Sequence, residues 1–286
     1  MLTEAQVNPD QQLPMPFQAA DDYAQAVMAW AQITLGSGVL ARRDVAYGAH
    51  RLHRYNVFSP AQAKAAPIVI FWHGGGWTNG YRDDNTFMAQ HITALGCVFV
   101  SPYYRLVTDA KFPAAFDDAL AALAHICQHS AAFGGDLASI YLAGHSAGAH
   151  LAALVALRGP TPVQACLPIS GIMDLHHPCP VPASLEERVY SMVLPDPAQD
   201  AVMSPMCWTA GNRVPFDVTV GQHDSLRVQT SNRRFVELLK LQNASVALNE
   251  NAGHSHFDTH TSLYHADAPW YQRLMAMINP SDDAMP

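Results

Sequence analysis

One serine in this sequence stands in a setting well suited to covalent chemistry. Ser146 is the central residue of a Gly-x-Ser-x-Gly pentapeptide, residues 144–148, which follows an apolar run and precedes an Ala/Leu-rich stretch. A strand that turns sharply into a helix through such a pentapeptide holds the serine in a strained conformation and exposes its hydroxyl at the edge of a sheet. The helix N-terminus then points at the hydroxyl. The pattern predicts that Ser146 is a nucleophile.

A serine nucleophile needs a base, and the base needs a carboxylate to orient it. In a strand–serine–helix arrangement of this kind, the acid and then the histidine follow the serine along the chain. Asp224 satisfies this order because it follows an apolar strand-like run, residues 216–220; the alternative role for an aspartate there is to cap the next helix. Asp217, inside that run, and Asp174, after an earlier strand, are the rival carboxylates. We predict that Asp224 is the acid.

The base is expected in the segment that follows the last strand. Residues 249–258 contain two histidines, His254 and His256, at nearly the same distance in sequence from Asp224. Spacing therefore leaves both open as the base, and the other one is predicted to line the substrate pocket.

A glycine-rich segment upstream could bind the oxyanion that forms during acyl transfer. Residues 73–77 read HGGGW and follow the apolar run 67–72, and glycines allow backbone N–H groups to approach a carbonyl oxygen closely. The expected donors are the N–H groups of Gly75, Gly76 and Ala147. Trp77 is expected to contact substrate. The segment lacks the spacing of a phosphate-binding loop.

The elements that must position these residues alternate along the chain. Apolar runs typical of buried strands alternate with helical stretches, which predicts an α/β fold with a mostly parallel sheet of about eight strands, an antiparallel hairpin at its start, and helices on both faces. The alternation breaks at residues 173–215, where six prolines between residues 178 and 205 punctuate an insertion on the carboxyl side of a strand. We expect this insertion to form a small cap over Ser146.

Composition limits the classes of protein that this chain can belong to. The 286 residues are 49% hydrophobic, which suits one large domain, and the net charge of −8 with no basic run argues against a nucleic-acid partner. No apolar stretch is long enough to span a membrane, and residues 1–18 resemble an extended arm rather than a signal peptide. The five cysteines look like reduced residues of a cytoplasmic protein. No cofactor is expected, and a homodimer is compatible with the sequence.

Five motifs in this chain resemble those of hormone-sensitive-lipase-like esterases and arylformamidases. The motifs and their order along the chain are HGGGW at 73–77, PYYRL at 102–106, KFPAA at 111–115 with Asp118, GGD at 134–136, and GHSAG at 144–148. The resemblance covers residues 43 to 278. It implies an α/β-hydrolase fold, hydrolysis of small carboxylic esters or aryl formamides, and a structural ion pair between Arg105 and Asp118.

The two branches of that family are mixed in this chain. His145 resembles the arylformamidase and feruloyl-esterase-like branch, whereas Gly76 resembles the lipase-like branch. Residues 252–254 (AGH) are similar to the lipase-like pattern and residues 256–258 (HFD) to the arylformamidase pattern, and we choose His256 as the base. The sequence does not determine which molecule accepts the acyl group, so an acyltransferase is one alternative. A non-catalytic ligand-binding homologue is the other. A metal site built on residues 254–260 is disfavoured because the segment lacks an adjacent Asp-His pair.

Overall fold

The fold is described from a computed structural model, which covers residues 12–182, 184–242 and 244–280. Eight strands form a single sheet in the order β1-β2-β4-β3-β5-β6-β7-β8. The strands are β1 (Val39–Ala46), β2 (Arg54–Pro60), β3 (Ala66–Trp72), β4 (Val98–Pro102), β5 (Gly135–His145), β6 (Ala165–Ile169), β7 (Phe216–His223) and β8 (Val246–Ser255). The first two strands are antiparallel to their neighbours, and the others run parallel. This confirms the predicted α/β sheet and its antiparallel start.

Helices cover both faces of the sheet. They are α1 (Gln18–Trp30), α2 (Ala89–Ala94), α3 (Ala114–His129), α4 (Ala147–Arg158), α5 (Leu185–Arg188), α6 (Leu226–Lys240), α7 (Asp258–Thr261) and α8 (Pro269–Ile278). Short 3₁₀ turns and one π turn, Val189–Val193, complete the set. The central strands read as apolar runs because they are buried from both sides, by two separate hydrophobic clusters. Within the described residues, we find no helix long and apolar enough to cross a bilayer.

One predicted boundary was wrong. Residues 249–258 were expected to follow the last strand, but β8 continues to Ser255. β8 is an edge strand, so its polar second half can pair with β7 while half-exposed, and it carries no hydrophobic signal.

Close contact between β3 and α4 depends on the second glycine of the pentapeptide. A Cβ placed on Gly148 would lie 2.0 Å from the Trp72 carbonyl oxygen, and one on Gly144 would lie 2.4 Å from the Gly148 carbonyl carbon. Both contacts are with backbone, which cannot move without shifting a central strand. The glycines therefore fix how closely the helix that follows Ser146 packs on the sheet.

We expect Gly148→Ala to destabilise the protein by about 2 kcal/mol or more, because overpacking of a rigid interior has costs of this order. The melting temperature should fall by roughly 5 °C or more. The matched control is Gly38→Ala, since a Cβ there meets nothing within 4 Å. Equal melting temperatures for the two variants, measured by circular dichroism, would show that the interface has room for the methyl group.

Candidate active site

Ser146 lies at the junction of β5 and α4, where the backbone turns sharply. Its φ is +53°, a left-handed value that is uncommon for any residue except glycine. The Ser146 amide donates to Ile169 O of the neighbouring strand at 2.9 Å, and its carbonyl accepts from the His150 amide at 3.0 Å. Strand and helix therefore hold the strained residue from both sides. Ser146 retains 9% exposure, toward a cavity.

The structure brings three predicted residues together. His256 Nε2 lies 2.9 Å from Ser146 Oγ, and His256 Nδ1 lies 2.7 Å from Asp224 Oδ1. Asp224 follows the end of β7, His256 follows the end of β8, and Ser146 follows the end of β5. Three carboxyl ends of parallel strands thus meet at one edge of the sheet, which is where an open α/β sheet binds its ligands.

The second oxygen of Asp224 is held as firmly as the first. Asp224 Oδ2 accepts from Ser170 Oγ at 2.7 Å and from the Gly221 amide at 2.7 Å. Burial by itself would raise the pKa of Asp224, but the hydrogen bonds and charge of His256, with those from Ser170 and Gly221, bring the pKa below its ordinary value. The carboxylate is therefore ionised and fixed in direction, as an orienting acid requires.

Sequence reasoning missed Ser170 as a partner of this acid. The residue directly follows β6, is fully buried, and adopts a φ of +50°. A polar residue at the carboxyl end of a buried strand, beside the strand that carries the nucleophile, is the signal that could have found it. The rival carboxylates have other partners: Asp217 binds Arg273 and Asp174 binds Arg234.

His254 is placed differently from His256. It is the penultimate residue of β8, and its Nδ1 lies 3.5 Å from the side-chain amide of Asn251. Among the described residues, those that line the cavity at Ser146 do not include His254. The structure thus brings His256, and not His254, to Ser146 and to the cavity.

The glycine-rich segment lies beside Ser146 and lines the same cavity. Gly75 and Gly76 have φ values of +106° and +61°, and a Cβ on Gly75 would lie 2.1 Å from Asn79 O, so glycine is required there. The backbone N–H groups of Gly75, Gly76 and Ala147 have no hydrogen-bond acceptor among the described residues. Unpaired N–H groups at this position are able to bind an oxyanion.

A cavity of about 360 Å³ opens at Ser146, and its lining is mainly apolar. One wall comes from the insertion at 173–215, through residues of α5 and the π turn after it, including Leu185 and Val193. Another part of the lining comes from the start of α1 and the residues before it, including Phe17 and Tyr23. Trp77 also contributes, and its buried indole packs edge-on against Phe112.

A buried carboxyl group, Asp84, also borders this cavity. Its pKa is raised to about 8, mainly by burial and further by the charge of Asp83, although the hydrogen bond from the Tyr81 amide acts to lower it. The folded protein therefore holds a proton on Asp84 that the unfolded chain, with an ordinary pKa of 3.8, releases. Linkage then requires this group's contribution to stability to be fully present below about pH 4 and to be lost as pH rises to about 8.

We expect Asp84→Asn to remove this pH dependence. The melting temperatures of the variant and the unaltered protein should be similar near pH 5, and the variant should melt higher as the pH approaches 9, because the amide keeps an acceptor for the Tyr81 amide and never ionises. Differential scanning calorimetry over this range is the measurement, with exposed Asp267→Asn as the control. Parallel curves for the two proteins would mean that Asp84 is already ionised in the folded state.

No group of three or more His, Cys, Asp or Glu side chains converges as a metal site in the part of the chain that the structure describes. Of the histidines in the segment 254–260, His256 faces Ser146 and Asp224, whereas His260 Nδ1 lies 2.8 Å from the Tyr23 hydroxyl. The five cysteines are unpaired. The ion pair implied by the family resemblance is present, with Arg105 Nη2 2.6 Å from Asp118 Oδ1.

Comparison with known proteins gives several relatives. The sequence is similar to Esterase LipI of Mycobacterium tuberculosis, with 42% identity over 101 residues, which cover 35% of this chain and 31% of that protein. It is also similar to Esterase LipQ of the same organism, with 30% identity over 198 residues, which cover 63% of this chain and 47% of LipQ. The chain therefore spans less than half the length of these curated relatives.

Solved structures share the fold. Esterase B from Lactobacillus rhamnosis, inhibited by a tributyrin phosphonate, superposes with a TM-score of 0.76 at 19% identity, over 91% of this chain and 92% of that one. The hyperthermophilic esterase from the archaeon Pyrobaculum calidifontis superposes with a TM-score of 0.76 at 21% identity, over 90% and 91% of the two chains. The model of the BD-FAE family matches residues 55–237, well over half of the sequence. The chain, which has the α/β-hydrolase fold, belongs to the BD-FAE family.

Proposed function

We propose that this protein is a serine carboxylesterase that works through a covalent acyl-enzyme. The observation that carries the proposal is the unbroken hydrogen-bonded series from Ser146 Oγ through the His256 ring to Asp224, next to an apolar cavity. The esterases named among the relatives support the same reaction class.

The geometry supports a two-step reaction. Ser146 Oγ attacks the ester carbonyl carbon while His256 Nε2 accepts the hydroxyl proton, and the carbonyl π electrons move onto oxygen. The tetrahedral intermediate collapses, and the proton passes from His256 to the leaving oxygen, which departs as an alcohol. Water then attacks the acyl-enzyme while His256 accepts its proton, and as the C–Oγ bond breaks His256 passes that proton to Ser146 Oγ and the acid leaves. Asp224 keeps Nδ1 protonated and stabilises the imidazolium that forms twice in the cycle.

The oxyanion of each tetrahedral intermediate would be bound by the N–H groups of Gly75, Gly76 and Ala147. These amides have no acceptor among residues 12–182, 184–242 and 244–280, so no internal hydrogen bond has to break first. Preorganised donors of this kind typically contribute about 100- to 1000-fold in rate each.

The cavity indicates the size of the substrate. Its volume of about 360 Å³ and apolar lining suit one aryl or medium-length alkyl group, with Trp77 as a contact. We propose that residues 173–215 act as the cap that closes this space, since α5 and the π turn form one of its walls. An aryl formamide fits the same space, and we retain it as a second substrate class. The unpaired cysteines support a cytoplasmic location.

Turnover of a substrate panel tests this proposal. The panel contains p-nitrophenyl acetate, butyrate and octanoate, together with N-formylkynurenine, and the control is Ser146→Ala. We expect ester turnover with a preference for butyrate or octanoate over acetate. Turnover of the formamide alone would replace the esterase assignment, binding without turnover would indicate a ligand-binding homologue, and transfer of the acyl group to an added alcohol in preference to water would indicate an acyltransferase.

A further inference from the structure

Two consecutive residues at the end of β5 contact opposite parts of His256. Ser146 Oγ lies 2.9 Å from the ring nitrogen Nε2 of His256, and His145 Nε2 lies 2.9 Å from the backbone carbonyl oxygen of His256. A backbone carbonyl can only accept, so His145 Nε2 carries the proton and donates it. The ring and the main chain of His256 are thus both held from one strand end.

The same carbonyl has a second donor. Thr259 Oγ1, in the single turn of α7, donates to His256 O at 2.7 Å. Thr259 and His145 are each 1% exposed, so water competes for neither hydrogen bond. Two buried donors on one carbonyl fix the peptide plane that follows His256, and so fix the direction in which its side chain leaves the backbone.

The His145 ring is itself immobilised. It stacks on His260, with ring centroids 5.1 Å apart and an interplanar angle of 11°, and His260 is held by the hydroxyl of Tyr23 from α1. Burial, and then the nearby imidazoles of His256 and His260, lower the pKa of His145 well below its usual value. The ring is therefore neutral, and its one N–H is committed to the His256 carbonyl.

Resting on the proposed hydrolase function, we propose that His145 is a positioning residue: with Thr259 it anchors the His256 main chain, so that the imidazole bridges Ser146 and Asp224. His145 acts through His256 and contributes no group to the reacting atoms. His145 and Ser146 are adjacent in the chain. The end of β5 therefore carries both the nucleophile and the residue that anchors the base, and so sets the distance between them. Misplacement of a catalytic group by about 1 Å can reduce the rate by about 100-fold.

Two variants of His145 separate positioning from packing. His145→Leu fills much of the same volume without a donor, whereas His145→Gln offers an amide N–H that can reach the position of Nε2. We expect His145→Leu to lower kcat by roughly tenfold or more with KM within about threefold, and His145→Gln to recover most of the loss. His91→Leu is the matched control, since it removes another imidazole bound to a backbone carbonyl, that of Tyr264.

Other outcomes would overturn the proposal. His145 also borders the cavity. A rise in KM with unchanged kcat would therefore mean that it only shapes the wall. Equal activity of the folded Leu and Gln variants would exclude a role for the donated hydrogen bond. Melting temperatures measured on all variants separate loss of rate from loss of fold.

Thr259 provides a second test, and its single variants can be compared even if His145→Leu does not fold. Thr259→Val removes the second donor and should lower kcat, whereas Thr259→Ser keeps the donor and should not. If both donors act on one carbonyl, either one partly holds it, so His145→Gln with Thr259→Ser should remain active. Combining donor loss at both positions should lower kcat by more than the product of the single effects. A simple product of effects would show that the two side chains act separately and would contradict the proposal.

Phosphonylation distinguishes failure of this inference from failure of the proposed function. With a fluorophosphonate, Ser146 Oγ forms a bond to phosphorus, fluoride leaves, and His256 takes the proton, so the rate depends on base placement but not on ester turnover. If the unaltered protein hydrolyses no ester, the proposed function fails, yet slower phosphonylation of His145→Leu than of His145→Gln still supports positioning. Equal phosphonylation rates in all folded variants overturn the positioning role, whatever the substrate.

Discussion

Ser146→Ala is expected to lower kcat/KM for a p-nitrophenyl ester by about 10⁴- to 10⁶-fold, the scale seen when a catalytic serine is removed from a hydrolase of this type. The substitution deletes only Oγ, the atom 2.9 Å from His256 Nε2. The fold should be retained, because the two hydrogen bonds that hold residue 146 involve its backbone. We therefore expect a melting temperature within a few degrees of the unaltered protein, with a residual rate still about 10³-fold above the uncatalysed one, because the oxyanion donors remain.

A second serine provides the matched control for this result. Ser170 is also buried, also has a positive φ, and donates its hydroxyl to Asp224. Ser170→Ala should reduce kcat by roughly tenfold, far less than Ser146→Ala, because Asp224 keeps the Gly221 amide and His256 as partners. A fluorophosphonate should label Ser146 and leave Ser146→Ala unlabelled. Retention of more than about a tenth of the activity by Ser146→Ala would remove the covalent mechanism.

The buried half of the fold could be predicted from sequence because burial leaves a strong pattern. Strands β3 to β7 lie inside the sheet and carry apolar runs, and the pentapeptide at 144–148 marks the turn between strand and helix. The edge strand β8 carries a much weaker pattern, because its residues 250–255 include no large apolar side chain and none of them is buried. Its hydrogen bonds with β7, which no local sequence feature encodes, extend it to Ser255.

The extension of β8 to Ser255 decides which histidine can act as the base. With residues 249–258 treated as one loop, His254 and His256 are equivalent in spacing and in chemistry. Once Ser255 pairs with His223 at the end of the sheet, His254 is inside the strand and His256 is the residue that leaves it beside Asp224. The choice depends on strand register at an edge, which is a property of the assembled sheet.

Contacts between distant parts of the chain could not be predicted from the sequence either. Helix α1 supplies Tyr23 to His260, which stacks on His145, and Gln12 binds both the amide and the carbonyl of Gly80 next to the glycine-rich segment. The sequence indicates an amphipathic helix and a polar residue at these positions. No feature of the sequence identifies their partners, which lie more than 60 positions away. The N-terminal segment therefore supports the candidate site in a way that motif reading does not reveal.

His256→Ala is expected to reduce kcat by about 10⁴-fold or more, because Ser146 then has no group to accept its proton. His254→Ala is the paired variant, since it removes the neighbouring imidazole that lies outside the cavity lining, and should change kcat by less than about threefold. Activity measured with a p-nitrophenyl ester, beside melting temperatures for both variants, makes the comparison.

Rescue of His256→Ala by added imidazole is a further test of His256 as the base. Removing the His256 ring leaves a space between Ser146 and Asp224 that is open to the cavity, so free imidazole should enter it and restore part of the rate in a saturable way. The same compound should not affect His254→Ala, which retains its base. If the two alanine variants lost activity equally and mildly, neither histidine would be the base, and the hydrogen bond between His256 and Ser146 would have to be assigned a structural role.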